Sequence, residues 1–249
     1  MRQAMIFAAG LGTRLKPLTD TMPKAMVPVA GSPLLEHVLL RLKACGFLRV
    51  VVNVHHFSQQ IIDFLRANDN FGLDLTISDE TAQLLDTGGG LRKAFPLFNA
   101  NSPVLLHNVD ILSNVDLTSF YDHSREADAT LLVSERKTQR YLLFDENCRL
   151  RGWTNIATGE IRSPYPSLNI DAFHRYAFSG IHVVSPRLLP LMENFPEKFG
   201  IMDFYLQACD KADIRAHVGQ DLRLMDVGKL DTLAEADKFA ESLGDTYYI

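Results

Sequence analysis

The chain has 249 residues, 47% of them hydrophobic and 22% charged, which is the composition of an ordinary globular protein rather than a disordered one, and an α/β chain of this length folds as one compact domain. A net charge of -5 supplies no general basic field for a nucleic-acid backbone, so any anionic ligand must meet a local cluster of cations. Cys45, Cys148 and Cys209 lack metal-ligand spacing and read as reduced thiols, no apolar run approaches the roughly 18 residues of a membrane span, and no secretory signal is evident, so no membrane contact and a cytoplasmic location are expected.

In chain order, the apolar run from Ala4 to Ala9 predicts a buried strand. Pro33 to Ala44 predicts a helix, with Ser32 at its N-cap, Pro33 at its first position and Gly46 just past its end. "LRVVVNV" at 48 to 54 is expected to form a second strand, and the spacing of Ile61, Ile62, Phe64 and Leu65 a helix over 59 to 67. "LDLTI" at 73 to 77 predicts a third strand, Gly90 to Phe98 a helix, and "PVLLHNVD" at 103 to 110 a fourth strand. Such alternation implies a parallel sheet with helices on both faces, joined by right-handed crossovers, and ligands of such sheets bind beyond the carboxyl ends of the strands.

After residue 128 the pattern changes. "ATLLVSE", "RYLLFD", "RLRGW" and "YAFSGIHVVS" are strand-like with few strong helices between them, which predicts mixed or antiparallel sheet. Residues 155 to 174, "NIATGEIRSPYPSLNIDAFH", are rich in Gly, Pro, Ser and Asn and read as a long surface loop or lid. The chain then returns to helix (Met202 to Cys209), strand ("DLRLMDVG") and helix (Leu230 to Leu243), and the aromatic run "TYYI" at 246 to 249 is expected to pack on the body or on a partner subunit.

The first strand ends in "AAGLGTR", which places Gly10 and Gly12 at the carboxyl edge of the sheet, where backbone N–H groups can approach a ligand closely. Phosphate suits such a turn. A dinucleotide fingerprint needs a third glycine at position 15, where this chain has Leu15, and the Gly-Lys-Ser/Thr of a P-loop is absent. The segment nevertheless collects Thr13, Arg14, Lys16 and Lys24 with Asp20 as its one acidic residue, inside an acidic protein. Arg14 and Lys24, fixed between glycines and prolines, are the anion-binding candidates.

Gly10, Gly12, Thr13, Arg14, Pro17, Leu18, Thr19, Pro23 and Lys24 together resemble the signature of the sugar-1-phosphate nucleotidyltransferases. "DTGGGL" at 86 to 91, "FSGIHVVSP" and "DVGKLDTLAEAD" extend the similarity over nearly the whole chain, and "VNVHHFSQQI" with "DTGGGL" is most similar to the N-acetylmuramate-1-phosphate uridylyltransferases. Mannose-1-phosphate guanylyltransferases and choline-phosphate cytidylyltransferases share much of this frame. The resemblance implies an α/β fold with a Rossmann-like doubly wound mixed sheet and a small lid or acceptor subregion. It implies a single nucleotidyltransferase domain over 1–249, with a nucleotide-binding half (1–127) and an acceptor-binding half (128–249) that carries the second metal ligand. The implied partners are a nucleoside triphosphate, UTP first, and a sugar 1-phosphate; a monomer is compatible with the sequence, which sets no oligomeric state.

The resemblance also implies roles. Backbone of Ala8, Ala9, Gly10, Gly12 and Thr13 would hold the nucleotide, Gly88 would border the base, Arg14 would grip the β and γ phosphates, and Lys24 would stabilise charge at the α-phosphate. Asp110 and Asp226, each expected at a strand end, would hold Mg²⁺, and Asn155, Asn169 and Gly180 would touch the sugar. Taken without the resemblance, an aspartate at a strand end is a turn former or cap, and Asn108, Asp116 and Asp86 have such explanations too. Val109 stands where the family has glycine, which leaves open an altered substrate fit or a sugar-nucleotide sensor without turnover. Adjacent His55 and His56 point different ways from an extended chain and are not expected to share a metal, while Arg136, Lys137 and Arg140 are either sugar-phosphate contacts or a solvated strand face.

Overall fold

A computed structural model of the chain describes residues 1–244; the aromatic run at 246 to 249 lies outside them. The elements are β1 (Arg2–Phe7), β2 (Pro28–Val29), β3 (Ser32–Pro33), α1 (Leu34–Ala44), β4 (Phe47–Val54), α2 (Ser58–Ala67), β5 (Asp74–Asp79), α3 (Asp86–Ala94), β6 (Val104–Asn108), β7 (Ile111–Ser113) and α4 (Leu117–His123). They continue with β8 (Ala129–Ser134), β9 (Arg140–Phe144), β10 (Leu150–Asn155), β11 (Glu160–Arg162), β12 (His174–Val184), α5 (Leu189–Met192), α6 (Ile201–Ala208), β13 (Ile214–Val218), β14 (Leu224–Asp226) and α7 (Leu233–Leu243).

Among the described residues the main sheet runs β11-β10-β9-β12-β6-β1-β4-β5, with β8 paired to β12 and β13 paired to β8. The four strands at the β5 end are parallel, and β12 joins them antiparallel to β6. This is the expected doubly wound mixed α/β sheet. Side chains alternate across it with period two. Ala4, Ile6, Val50, Val52 and Val54 face one apolar cluster with Leu34, Leu39 and Phe120, while Met5, Phe7 and Val51 face the other with Leu91, Phe204 and Tyr205. Both faces are therefore buried, which is why β1 and β4 read as continuous apolar runs.

Several expectations are corrected. Ser32 does not cap α1: it pairs with Val29 in the β2–β3 ladder, and Pro33 takes the cap position. The helix expected from Gly90 to Phe98 starts earlier and ends earlier, as α3 spans Asp86 to Ala94, so Gly88 and Gly89 are helical as well as Gly90. Residues 155 to 174 are not one loop but hold β11, which pairs with β10. β13 was not expected, although Ile214, Ala216 and Val218 alternate with Arg215 and His217 over its five residues. Asp226 ends β14, which pairs with β7 in a separate two-stranded ladder and not with the main sheet.

Two histidines lie inside the sheet. His182, on β12, is buried beside Phe7 and hydrogen-bonds the Tyr205 hydroxyl through Nδ1 at 2.7 Å; burial lowers its pKa to about 3, and burial lowers that of His107 to about 4. Because the folded state holds these rings neutral, their contribution is present above pH 6.5 and is lost as the pH falls toward those values. Each should cost about 2 kcal/mol between about pH 6.5 and about pH 5. Urea unfolding at both pH values tests this, and His182→Gln should show a smaller difference between them than the unsubstituted protein.

Candidate active site

The carboxyl ends of β1, β4 and β6 open into a cavity of about 340 Å³, bordered by Ala8, Gly10, Lys24, Asn53, Asn108 and Asp110 among others. Its floor is a buried network. Asn53 accepts the backbone N–H groups of Ala8 (2.7 Å) and Ala9 (3.3 Å) at Oδ1 and donates through Nδ2 to Glu80 at 2.7 Å. The other Glu80 oxygen accepts the Leu85 N–H at 3.1 Å, and the Glu80 carbonyl meets His55 Nδ1 at 2.7 Å. Ala8 and Ala9 thus line the cavity while their N–H groups turn inward to Asn53. The sequence carried a signal for this network: an asparagine inside "VVVNV" must find partners once buried.

Gly12 adopts φ +64°, and a Cβ there would lie 2.8 Å from Thr19 Cγ2 and 3.0 Å from Lys24 Cβ. Its carbonyl accepts the Leu15 N–H at 2.8 Å and the Thr19 hydroxyl at 2.9 Å. Gly12 therefore shapes a tight turn that carries Arg14 toward the cavity mouth and lets Lys24 cross behind it. Gly10 has no atom within 4 Å of an added Cβ, so its backbone is open to a ligand, and Thr13 beyond it is exposed.

Lys24 forms an ion pair with Asp110 Oδ2, and both side chains are largely buried. Asp110 lies between β6 and β7, and its carbonyl accepts the Val227 N–H at 2.8 Å, which stitches the end of β14 to it. In the β7–β14 ladder Asp226 pairs with Ile111, so the two aspartates are neighbours across one register. Asp226 keeps an edge open to solvent, yet surrounding protein displaces water from its carboxyl and the Asp110 charge adds to this, so its pKa is raised; Lys24 and Arg14 oppose the rise. A Cβ on Gly228 would lie 2.6 Å from Asp226 Oδ1 and 2.8 Å from Arg14 Nη2, which places the guanidinium and that carboxylate on either side of one backbone turn.

Two facing carboxylates are a hard oxygen donor set, and their mutual repulsion is what a divalent cation would relieve. Among the described residues no group of three or more His, Cys, Asp or Glu could hold a metal. Two carboxylates fit an ion that keeps waters and takes its remaining ligands from substrate phosphate, as Mg²⁺ does. His55 and His56 diverge, the first toward Glu80 and the second against the Phe57 ring.

Other expected contacts are placed elsewhere. Gly88 sits inside α3: its N–H and that of Gly89 donate to the Phe199 carbonyl at 2.9 and 3.1 Å, and a Cβ on Gly88 would lie 2.3 Å from the Phe199 ring. Asp86 and Thr87, not Gly88, border the cavity. Gly88→Ala should lower stability by roughly 1–3 kcal/mol by overpacking, despite better helix propensity, as measured by the urea midpoint. Gly180, at φ +74° in β12, backs onto the site, with Asn108 Nδ2 3.0 Å and Ile111 Cγ1 2.8 Å from its added Cβ. Asn155 accepts the Ala157 N–H in the β10–β11 turn, and Asn169 accepts that of Asp171, so both shape local turns. Asp116 caps α4 through the Ser119 N–H, and Arg136 donates to the Phe178 carbonyl. Val109, 4% exposed, packs in the core beside Ile111 while bordering the cavity.

A protein-family model described as "Nucleotidyl transferase" matches residues 3–142. The N-acetylmuramate alpha-1-phosphate uridylyltransferase of Caulobacter vibrioides is 48% identical over 109 residues, 43% of this chain and 45% of that protein. The Neisseria meningitidis protein of the same name is 42% identical over 119 residues, 48% of this chain and 51% of its own; the chain thus spans about half the length of these curated relatives. A mannose-1-phosphate guanylyltransferase of Mycobacterium tuberculosis is 35% identical over 51% of this chain and 36% of its own. The inositol-1-phosphate CTP transferase of T. maritima superposes with TM-score 0.78 at 17% identity, covering 98% of this chain and 97% of that one. HddC of Yersinia pseudotuberculosis, complexed with GMP-PN, gives TM-score 0.75 at 22% identity, covering 96% and 100%. At these identities the two structures speak for the fold alone.

Proposed function

Because the chain belongs to the nucleotidyl transferase family, we propose that it moves a uridylyl group from UTP to a sugar 1-phosphate, with N-acetylmuramate 1-phosphate the favoured acceptor. One observation carries the reading: Lys24 and Asp110 pair at the border of the cavity at the carboxyl edge of the sheet, and Asp226 and Arg14 stand beside that pair. The two uridylyltransferase relatives support the choice of base and acceptor.

In this reading an oxygen of the sugar phosphate attacks the α-phosphorus of the triphosphate, the bond to the β-phosphate breaks, and pyrophosphate leaves. Base and ribose enter the cavity above the Asn53–Glu80 floor, bordered by Ala8, Ala9 and Gly10. Lys24 exchanges Asp110 for the α-phosphate and offsets the charge that develops there. Arg14 holds the outer phosphates from the open side. Asp110 and Asp226 would hold Mg²⁺, which supplies charge neutralisation at the phosphates. Gly180 and the 128–249 half would present the acceptor, with Asn155 and Asn169 acting through the turns they shape.

A panel of UTP, GTP and CTP crossed with N-acetylmuramate, mannose, glucose and choline phosphates, read by pyrophosphate release, tests the proposal. Turnover fastest with UTP and N-acetylmuramate 1-phosphate is expected. Preference for GTP with mannose 1-phosphate would replace it by the guanylyltransferase reading, and binding without pyrophosphate release would make the chain a sensor.

A further inference from the structure

Arg92, on the last turns of α3, spends its side chain on one stretch of backbone. Its Nη1 donates to the carbonyls of Met192 (2.9 Å) and Phe195 (2.8 Å), and its Nη2 to those of Pro196 (2.8 Å) and Glu197 (3.2 Å). Its guanidinium carbon also lies 5.1 Å from the centre of the Phe199 ring. Residues 193–200 link α5 to α6 without regular structure, so their carbonyls need partners from elsewhere. The same link is tied to the start of α3: the Phe199 carbonyl accepts the Gly88 and Gly89 N–H groups, the Phe199 N–H donates to the Leu85 carbonyl at 3.2 Å, and the Ile201 N–H donates to Thr87 Oγ1 at 2.9 Å. Gly200, between those two ties, borders the cavity together with Thr87.

We infer that Arg92 is a positioning residue for the nucleotide. By clamping 192–197 it sets where Gly200 and Thr87 stand, and so the width of the cavity they border. A lysine cannot replace it, since an ammonium has no planar fork to reach four carbonyls at once. The inference rests on the nucleotidyl-transfer reading, and its place outside the cavity separates its effect from that of the reacting groups.

Arg92→Lys keeps the charge and stem, and Arg92→Gly leaves space for added guanidinium. In Arg92→Lys the KM for UTP should rise about tenfold, a loss of about 1.4 kcal/mol, with kcat within about twofold and the KM for sugar 1-phosphate unchanged. Calorimetry should show the same loss in UTP affinity, and guanidinium should restore much of it in Arg92→Gly. An unchanged KM and affinity for UTP in Arg92→Lys would overturn the inference. So would parallel losses in kcat and both KM values that guanidinium does not relieve, the pattern of a merely structural residue. An unsubstituted protein that neither binds UTP nor releases pyrophosphate would overturn the nucleotidyl-transfer reading together with this one.

Discussion

Asp226→Asn should lower pyrophosphate release by roughly 10²–10³-fold and at the same time raise the melting temperature of the nucleotide-free protein. The two effects share a cause. Ionised Asp226 stands beside Asp110 in partly desolvated surroundings, which is why its pKa is raised; a neutral amide of the same shape ends that repulsion. The carboxylate that destabilises the free protein is the one that would help hold Mg²⁺. Adding Mg²⁺ should therefore raise the melting temperature of the unsubstituted protein, by mass action on the folded state, and leave that of the variant nearly unmoved. Near-normal turnover in Asp226→Asn, or an equal Mg²⁺ response in both proteins, would refute the assignment of the metal to this pair.

Lys24→Met should also cost roughly 10²–10³-fold in turnover, but with the opposite sign in stability. Lys24 is the ion-pair partner of Asp110, and its removal leaves that carboxylate facing Asp226 with one cation fewer, so the melting temperature should fall. Breaking a partly hidden pair from one side exposes a desolvated charge, whereas removing both partners need not. Lys24→Met combined with Asp110→Asn should thus regain most of the lost stability and none of the activity. Melting curves and pyrophosphate release on the three proteins check this. A double variant as unstable as Lys24→Met would mean that the lysine stem, packed against Gly12, matters more than its charge.

Much of this was legible in the sequence, and the boundary has physical reasons. β1, β4 and β6 were readable because strands buried on both faces are written as unbroken apolar runs, and the turn after β1 because glycines and cations seldom gather there without cause. The start of α3 was misjudged, since helix propensity argues against Gly88 and Gly89 preceding Gly90 in a helix. Packing overrides it: Cβ atoms there would meet Phe199, the Glu197 carbonyl and Glu80. β13 was missed because its alternation, Ile214, Ala216 and Val218 with Arg215 and His217 between, lasts only five residues and its pairing with β8 is supplied by the fold. The Asn53–Glu80 floor needed both sides of the β4–β5 ladder to be seen together. Asp226 is a proposed metal ligand whose ladder partner, β7, is too short for pattern reading to detect.

That short ladder also governs when the site comes into being. Asp110 follows the carboxyl end of β6, but its partner acid arrives only when β14 docks on β7 and the Val227 N–H closes on the Asp110 carbonyl. A polypeptide that stops short of β14 would therefore carry Arg14, Lys24 and Asp110 without the second acid, and on the function proposed above should bind a nucleotide without transferring it.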